Sequence, residues 1–269
     1  MKWLWLPLTL LVACAPASDP AVDSTATSPA TTPPATSVPE PVPAPPTPPA
    51  EANITIESIE IANPLVVAGR ARTFENNVAL RARDANNNVI AEGFTTAQGE
   101  MGQHSPYRGT LWLTRHPGER ITVEALEYSA KDGSEVNLVS VERPFAVETI
   151  DAQLVFPDLN CTGTKSVTRT LPKSVSLARL LVEVLIAGPT QEEKLRGAAT
   201  PFPEGSRVES VILRDGVLTV DFNERLQNVG GSCRAQMIRT AVTKTLEALP
   251  SVTKVVITAG GSEKLALQP

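Results

Sequence analysis

Residues 63–94 read NPLVVAGRARTFENNVALRARDANNNVIAEGF, and their texture decides the fold of the first half of the chain. Leu65-Val66-Val67 precede Gly69, and Val78-Ala79-Leu80 alternate with Arg81 and Arg83. A polar cluster at 84–88 then leads to Val89-Ile90 and Phe94. A period of two puts successive side chains on opposite faces of a strand, and Asp/Asn clusters turn the chain. Upstream, Ile54 and Ile56 followed by Ile59 and Ile61 predict extended structure that shifts phase once. Downstream, Leu111 and Leu113, then Ile121, Val123 and Ala125, predict two strands around the turn His116-Pro117-Gly118. Asp132-Gly133 is a hairpin signal, and residues 136–147 close the set. About seven short strands across residues 53–150, with no helical periodicity of useful length, describe an all-β antiparallel sandwich. The Cys…Trp…Cys spacing of antibody domains is not present.

After Asp151 the pattern changes. Leu154-Val155-Phe156 and residues 166–171 read as strands. Residues 174–187 then carry apolar side chains at 177, 180, 181, 184 and 185, the spacing of one helix face. Ser174 or Ser176 is the expected N-cap and Gly188-Pro189 the stop. Residues 207–213 and 217–222 flank Asp215-Gly216, a strong two-residue hairpin turn. A second helix is expected from Gly230-Gly231-Ser232 to Leu249, burying Ala235, Ile238, Val242, Thr245 and Leu249, and residues 252–257 form a last strand. The order β-β-α-β-β-α-β over residues 151–269 predicts a small α/β module, with both helices on one face of a sheet.

Ahead of both modules the composition is of another kind. Residues 1–12, MKWLWLPLTLLV, are a single lysine and a short apolar run, too short for the roughly 20 helical residues a bilayer takes. A charged start and a 7–15-residue apolar core fit a secretory signal peptide over residues 1–13. Leu11-Val12-Ala13-Cys14 resembles a bacterial lipobox, which implies cleavage after Ala13 and lipidation of Cys14. Each buried acyl CH₂ contributes about 0.8 kcal/mol, so several chains anchor stably. Residues 14–52, rich in Pro, Ala, Thr and Ser, have almost no bulk to bury and are expected to form a disordered linker. At ~3.1 Å per residue it reaches on the order of 100 Å when fully extended. The expected location is extracytoplasmic, with a lipid anchor in the bacterial cell membrane; whether inner or outer is open.

The 63–113 run, centred on Ala71-Arg72-Thr73-Phe74-Glu75 and on residues 99–102, closely resembles the Gmad2 domain of bacterial spore germination proteins. The resemblance implies an immunoglobulin-like sandwich for recognition or assembly, with no catalytic residues to carry over. Residues 185–189 with Glu192 and Gly197, then Pro203-Glu204-Gly205, Asp215-Gly216, Val220-Asp221-Phe222, Gly231-Ser232 and Ser251-Val252, resemble the GerMN domain of sporulation and germination proteins. That family's fold is related to ring-building modules that self-associate in envelope machines; only one copy is recognisable here.

With Cys14 assigned to lipid, Cys161 and Cys233 remain as an even pair within one module and an oxidising compartment, and a disulfide is expected. The alternative is a nucleophilic Cys233 activated by the helix start, but no histidine in its module can act as base. Glu192, Glu193 and Asp221 are conceivable glycosidase carboxylates, although Glu192-Glu193 reads as the first turn of a solvated helix. Gly230-Gly231-Ser232 lacks a phosphate-loop pattern and reads as a turn with a cap. His104 with Glu100 is the one thinkable metal pair, and His116 has no partner in sequence; two histidines make no zinc cluster. A net charge of −5 without a basic block argues against nucleic acid. The expectation is a non-enzymatic envelope interaction or assembly module, with no catalytic, metal or cofactor residues. Its partners are the membrane through lipid and an envelope protein or a second copy. The alternative is a peptidoglycan-binding accessory of cell-wall metabolism.

Overall fold

The computed structural model describes residues 52–158 and 160–268. The expected signal peptide, Cys14 and, apart from Ala52, the Pro-rich linker lie outside the described residues.

The first module is a two-sheet sandwich. Strands β1 (Ile54–Glu60), β2 (Leu65–Ala71) and β5 (Ser105–Leu111) form one sheet in the order β1-β2-β5. Strands β3 (Asn77–Arg83), β4 (Val89–Thr96), β6 (Arg120–Tyr128) and β7 (Glu135–Pro144) form the other in the order β4-β3-β6-β7. All neighbouring pairs are antiparallel. The inward positions Leu65, Val67, Leu80, Leu111, Ile121 and Val123 fill the space between the sheets. The phase shift expected in the first strand is a register shift between Ile56 and Ser58. The 84–88 turn closes because the Asp84 carboxylate accepts from the backbone N–H groups of Asn86 (2.9 Å) and Asn88 (2.8 Å).

Two boundaries differ from expectation. The strand placed around Leu111 and Leu113 begins earlier, at Ser105, and ends at Leu111. The last strand stops at Pro144 rather than running to Val147. Proline has no N–H for the ladder, and Phe145 turns in to donate to Glu119 and enter the core.

The second module contains β8 (Thr149–Pro157), β9 (Thr164–Pro172), α1 (Leu177–Ala187), α2 (Gln191–Leu195), β10 (Val208–Arg214), β11 (Val217–Phe222), α3 (Ser232–Leu246) and β12 (Lys254–Ala259). β8 starts at Thr149, just ahead of the boundary expected at 150/151. The five strands divide into a β8–β9 hairpin and a β10-β11-β12 sheet, so the helices do not cover one face of a single sheet. β11 and β12 are parallel and α3 makes the crossover. α1 and α3 pack on each other, α1 against β10, and α3 along β8, where the Val155 N–H donates to the buried Thr245 hydroxyl at 2.9 Å.

Local chemistry accounts for the turns and ends. Asp215 and Gly216 have φ of 50° and 80°, the two positive angles a two-residue hairpin needs. Ser176 occupies the N-cap of α1, but its side chain makes no capping bond; the Ser174 hydroxyl accepts from the Ser176 N–H instead. α3 ends at Leu246, short of Leu249, because the residue before Pro250 is driven out of helical backbone.

Candidate functional site

Residues 50–269 form one compact unit, and a few side chains join its two modules. Asn63 is buried just before β2. Its amide donates to the carbonyls of Leu113 (3.3 Å) and Pro172 (3.0 Å), and its oxygen accepts from the Leu113 N–H (3.0 Å). One asparagine thereby ties the segment after β5 to the end of β9. Trp112, on that same segment, packs against the core of the second module. The Arg179 guanidinium of α1 lies 5.1 Å over the Trp112 ring, and the same group donates to the Val208 carbonyl at 2.8 Å. A buried amide that meets three backbone partners, with an aromatic–guanidinium stack beside it, is a specific joint.

Beside this joint lies a cleft of about 520 Å³, within the range of small-molecule and peptide pockets. Phe94, Trp112 and Arg115 line it from the sandwich, and Arg179, Glu183 and Arg207 from the second module. Arg179 and Glu183 stand one turn apart on α1 and form an ion pair at 3.3 Å. Burial pushes the Glu183 carboxyl above its ordinary value, and Arg179 offsets only part of that rise. Arg115 and Arg207 are exposed, and among the described residues neither forms an ion pair. Arg115 acts on Asp84 at longer range; burial raises that carboxyl, but bonds from Asn88 and Asn86, helped by Arg115, bring it below its ordinary value. Phe94 is 68% exposed at the cleft rim. The cleft walls include the 89–94 stretch of β4, an edge strand of its sheet, and Thr110 of β5. Among the described residues a single backbone bond, from Thr114 to Ile90, crosses toward β4 there. The lining contains no histidine or cysteine. What it offers is binding chemistry: guanidinium groups, two aromatic rings and a backbone edge.

The carboxylates singled out in sequence do not act together. Glu193 is not in a solvated turn; it is buried, with its side chain against Arg169 of β9. Arg169 Nε donates to one carboxylate oxygen at 2.8 Å and Nη2 to the other, while Nη2 also donates to the Gly188 carbonyl at 3.0 Å. The Thr190 hydroxyl accepts from the Glu193 N–H at 3.2 Å and the Thr190 N–H donates to Glu193 at 2.7 Å, a reciprocal capping box. Burial raises the Glu193 carboxyl, but the bonds from Arg169 and Thr190 outweigh it and hold the group below its ordinary value. Glu192 is exposed and pairs with Arg196. Asp221 accepts from Thr258 at 2.6 Å and from the Gly261 N–H at 2.9 Å. Each acid is committed to a different structural partner. The Thr190-x-x-Glu193 spacing was the sequence signal for the buried glutamate.

The remaining candidates are also structural. Cys161 and Cys233 are joined in a disulfide with their Cα atoms 5.8 Å apart, linking the loop before β9 to the start of α3. Gly231 caps α3 with positive φ, and Ser232 is its first residue. The His104 carbonyl accepts from Arg70 at 2.5 Å, while Glu100 accepts from Gln103 at 3.1 Å. Among the described residues no group of three or more His, Cys, Asp or Glu is arranged to hold a metal. His116 does have a partner: its Nδ1 accepts from the Gly118 N–H at 3.0 Å, and its ring meets Phe145 edge-on at 5.5 Å.

Comparison with known proteins follows the same two-part division. Residues 56–134 match the Gmad2 family model, an immunoglobulin-like domain of bacterial spore germination. Residues 153–265 match the Germane model, described as sporulation and spore germination. No curated protein matches. Among solved structures, the tandem GerMN domains of the sporulation protein GerM from Bacillus subtilis are 26% identical over 42% of this chain, with a TM-score of 0.37. This chain spans 40% of that structure's length. The first GerMN domain of the same protein is 27% identical over 42% of this chain and 84% of its own length, with a TM-score of 0.34. A putative lipoprotein from Clostridium perfringens is 19% identical over 42% of this chain and 76% of its own length, with a TM-score of 0.29. Residues 56–134 are thus a Gmad2 domain of the immunoglobulin-like type, followed at residues 153–265 by a Germane domain of the sporulation and germination type.

Proposed function

We propose that this chain is a non-enzymatic envelope lipoprotein, anchored outside the cytoplasm through Cys14, whose two domains act as one adaptor in assembling envelope machinery during sporulation or germination. The observation that carries the reading is the joint at Asn63, Trp112 and Arg179. It docks the two domains so that one cleft draws its walls from both. A binding surface built on rigid elements from two domains suits recognition of a partner. Both family descriptions support a sporulation- or germination-related role.

Two measurements test the reading. Cys14→Ser is expected to move the chain from the membrane to the soluble fraction; unchanged fractionation removes the lipid anchor from the account. A photo-crosslinking side chain at the exposed rim position Phe94 is expected to capture one envelope protein in stoichiometric yield. Capture of wall glycan alone favours the cell-wall accessory role and overturns the adaptor role.

A further inference from the structure

The cleft between the domains has features that specify what enters it. Its guanidinium groups, Arg115, Arg179 and Arg207, outnumber its carboxylates, Glu92 and Glu183, in a chain whose net charge is −5. Glu183 is already bound by Arg179, which leaves the exposed Arg207 and Arg115, the latter with Asp84 at longer range, to meet a ligand charge. A cleft with low-dielectric walls focuses such a field and raises the local concentration of anions. The aromatic surface is equally placed: Phe94 stands exposed at the rim and half-buried Trp112 forms part of the wall. Finally, β4 is an edge strand, and its stretch from Val89 to Phe94 runs along the cleft, with the Ile90 carbonyl already taken by the Thr114 N–H. Open strand edges hydrogen-bond an extended main chain, and adjacent pockets select its side chains.

We propose that the inter-domain cleft binds an extended, acidic peptide segment of a partner protein, whose carboxylates are held by Arg115 of the Gmad2 domain and Arg207 of the Germane domain. This deepens the adaptor reading and rests on it, because it names the chemistry of the partner at that same site. The segment lies along β4, places an apolar side chain against Phe94 and Trp112, and presents carboxylates to both domains. Arg179 has a different part. Its stack on Trp112 and its bond to Val208 keep the far wall of the cleft in place. The requirement for both domains makes recognition sensitive to their docking, so a partner is bound only by the assembled unit.

The test uses the full-length chain in detergent and a positional-scanning library of acetylated, amidated hexapeptides. Aspartate or glutamate is expected to be enriched at one or more positions among retained peptides, with an apolar residue at another. Binding of the best acidic peptide, read by fluorescence anisotropy, is expected to weaken about tenfold or more in Arg115→Ala/Arg207→Ala, and to weaken with added salt. Both arginines are exposed, so the variant is expected to keep the wild-type melting temperature. The glutamine counterpart of the best peptide serves as the neutral control. No retained peptide, selection of neutral or basic peptides, or unchanged affinity in the double variant overturns the proposal. If crosslinking at Phe94 still captures an envelope protein in that case, the adaptor role stands and the peptide chemistry falls. If acidic peptides bind but no protein is captured in cells, the peptide site stands and the adaptor role falls.

Discussion

Arg81 in the sandwich and Arg169 in the second domain are both buried on β-strands, and they are neutralised in opposite ways. Arg81 donates to Glu124 (2.5 Å) and to both oxygens of Glu135 (2.7 and 3.1 Å), and Glu124 also accepts from Arg83 at 3.1 Å. The bond from Glu135 raises the Arg81 pKa; desolvation opposes it, and Glu124 adds to the rise. Two arginines and two glutamates share the load on the outer face of a sheet. Among the described residues Arg169 has Glu193 as its one carboxylate, inside the core, with the Phe156 ring 5.3 Å away. A network survives the loss of a member because the remaining partners still neutralise the charge. A lone buried pair leaves an uncompensated ion. The second domain is also closed by a covalent bond, the disulfide spanning a sequence separation of 72, while the sandwich rests on its ladders and core. The two domains thus concentrate their stability differently.

The largest expected effect follows from that closure. In the chain-entropy view, opening a loop of 72 residues by Cys161→Ser/Cys233→Ser lowers the stability of the second domain by about 4 kcal/mol, read by urea denaturation. The sandwich strands should keep their hydrogen-exchange protection. Equal loss of protection in both domains breaks the comparison, since it means that the two unfold as one.

Next comes the lone pair. Glu193→Ala is expected to remove about 3 kcal/mol, the lower end for a broken buried pair, because Arg169 keeps its Gly188 carbonyl and the Phe156 ring. The effect also depends on pH. The folded-state pKa of Glu193 is depressed, so its contribution is present above the ordinary value of 4.5 and is lost as pH falls through the lower folded value. The variant should therefore show a flatter acid limb in stability against pH. Glu135→Ala is the matched change in the sandwich and should cost clearly less, since Glu124 remains on Arg81. A larger loss for Glu135→Ala than for Glu193→Ala would end the distinction between shared and lone pairs. Trp112→Ala probes the joint instead of either domain. The loss of a half-buried ring and its guanidinium stack lowers stability by about 2 kcal/mol. It is expected to widen the separation between the calorimetric transitions of the two domains.

What the sequence disclosed and what it hid have physical causes. The phase shift at Ile56, the Asp84 and Asp215-Gly216 turns and the apolar face of α1 were legible because each is a local rule with few competing outcomes. The start of β5 was hidden because its inward positions are Ser105, Tyr107, Gly109 and Leu111, two of them without apolar bulk. At Gly109 a Cβ would meet the Leu80 side chain and lie 3.2 Å from that of Thr95, so the absent side chain leaves room for close packing. Glu193 was misread because burial of a charge depends on a partner in a distant strand, although the capping spacing from Thr190 was present. The cleft had no sequence signal at all. Arg115, Arg179 and Arg207 lie far apart in the chain and come together through the docking bonds of Asn63, which no periodicity encodes.

The smallest expected effect concerns Glu183, the second half-hidden acid of the Germane domain, whose sign is opposite to that of Glu193. Its folded-state pKa is raised, chiefly by burial, with Arg179 lowering it only in part. Such a group contributes stability that is present below the ordinary value of 4.5 and is lost as pH rises through the folded value. Glu183→Gln keeps the shape and removes the titration. The variant should gain on the wild type as pH rises through that window and hold a constant offset above it. Urea midpoints for the two proteins at closely spaced pH values check this. A gap that narrows with rising pH reverses the sign and means that Arg179, not burial, governs the carboxyl.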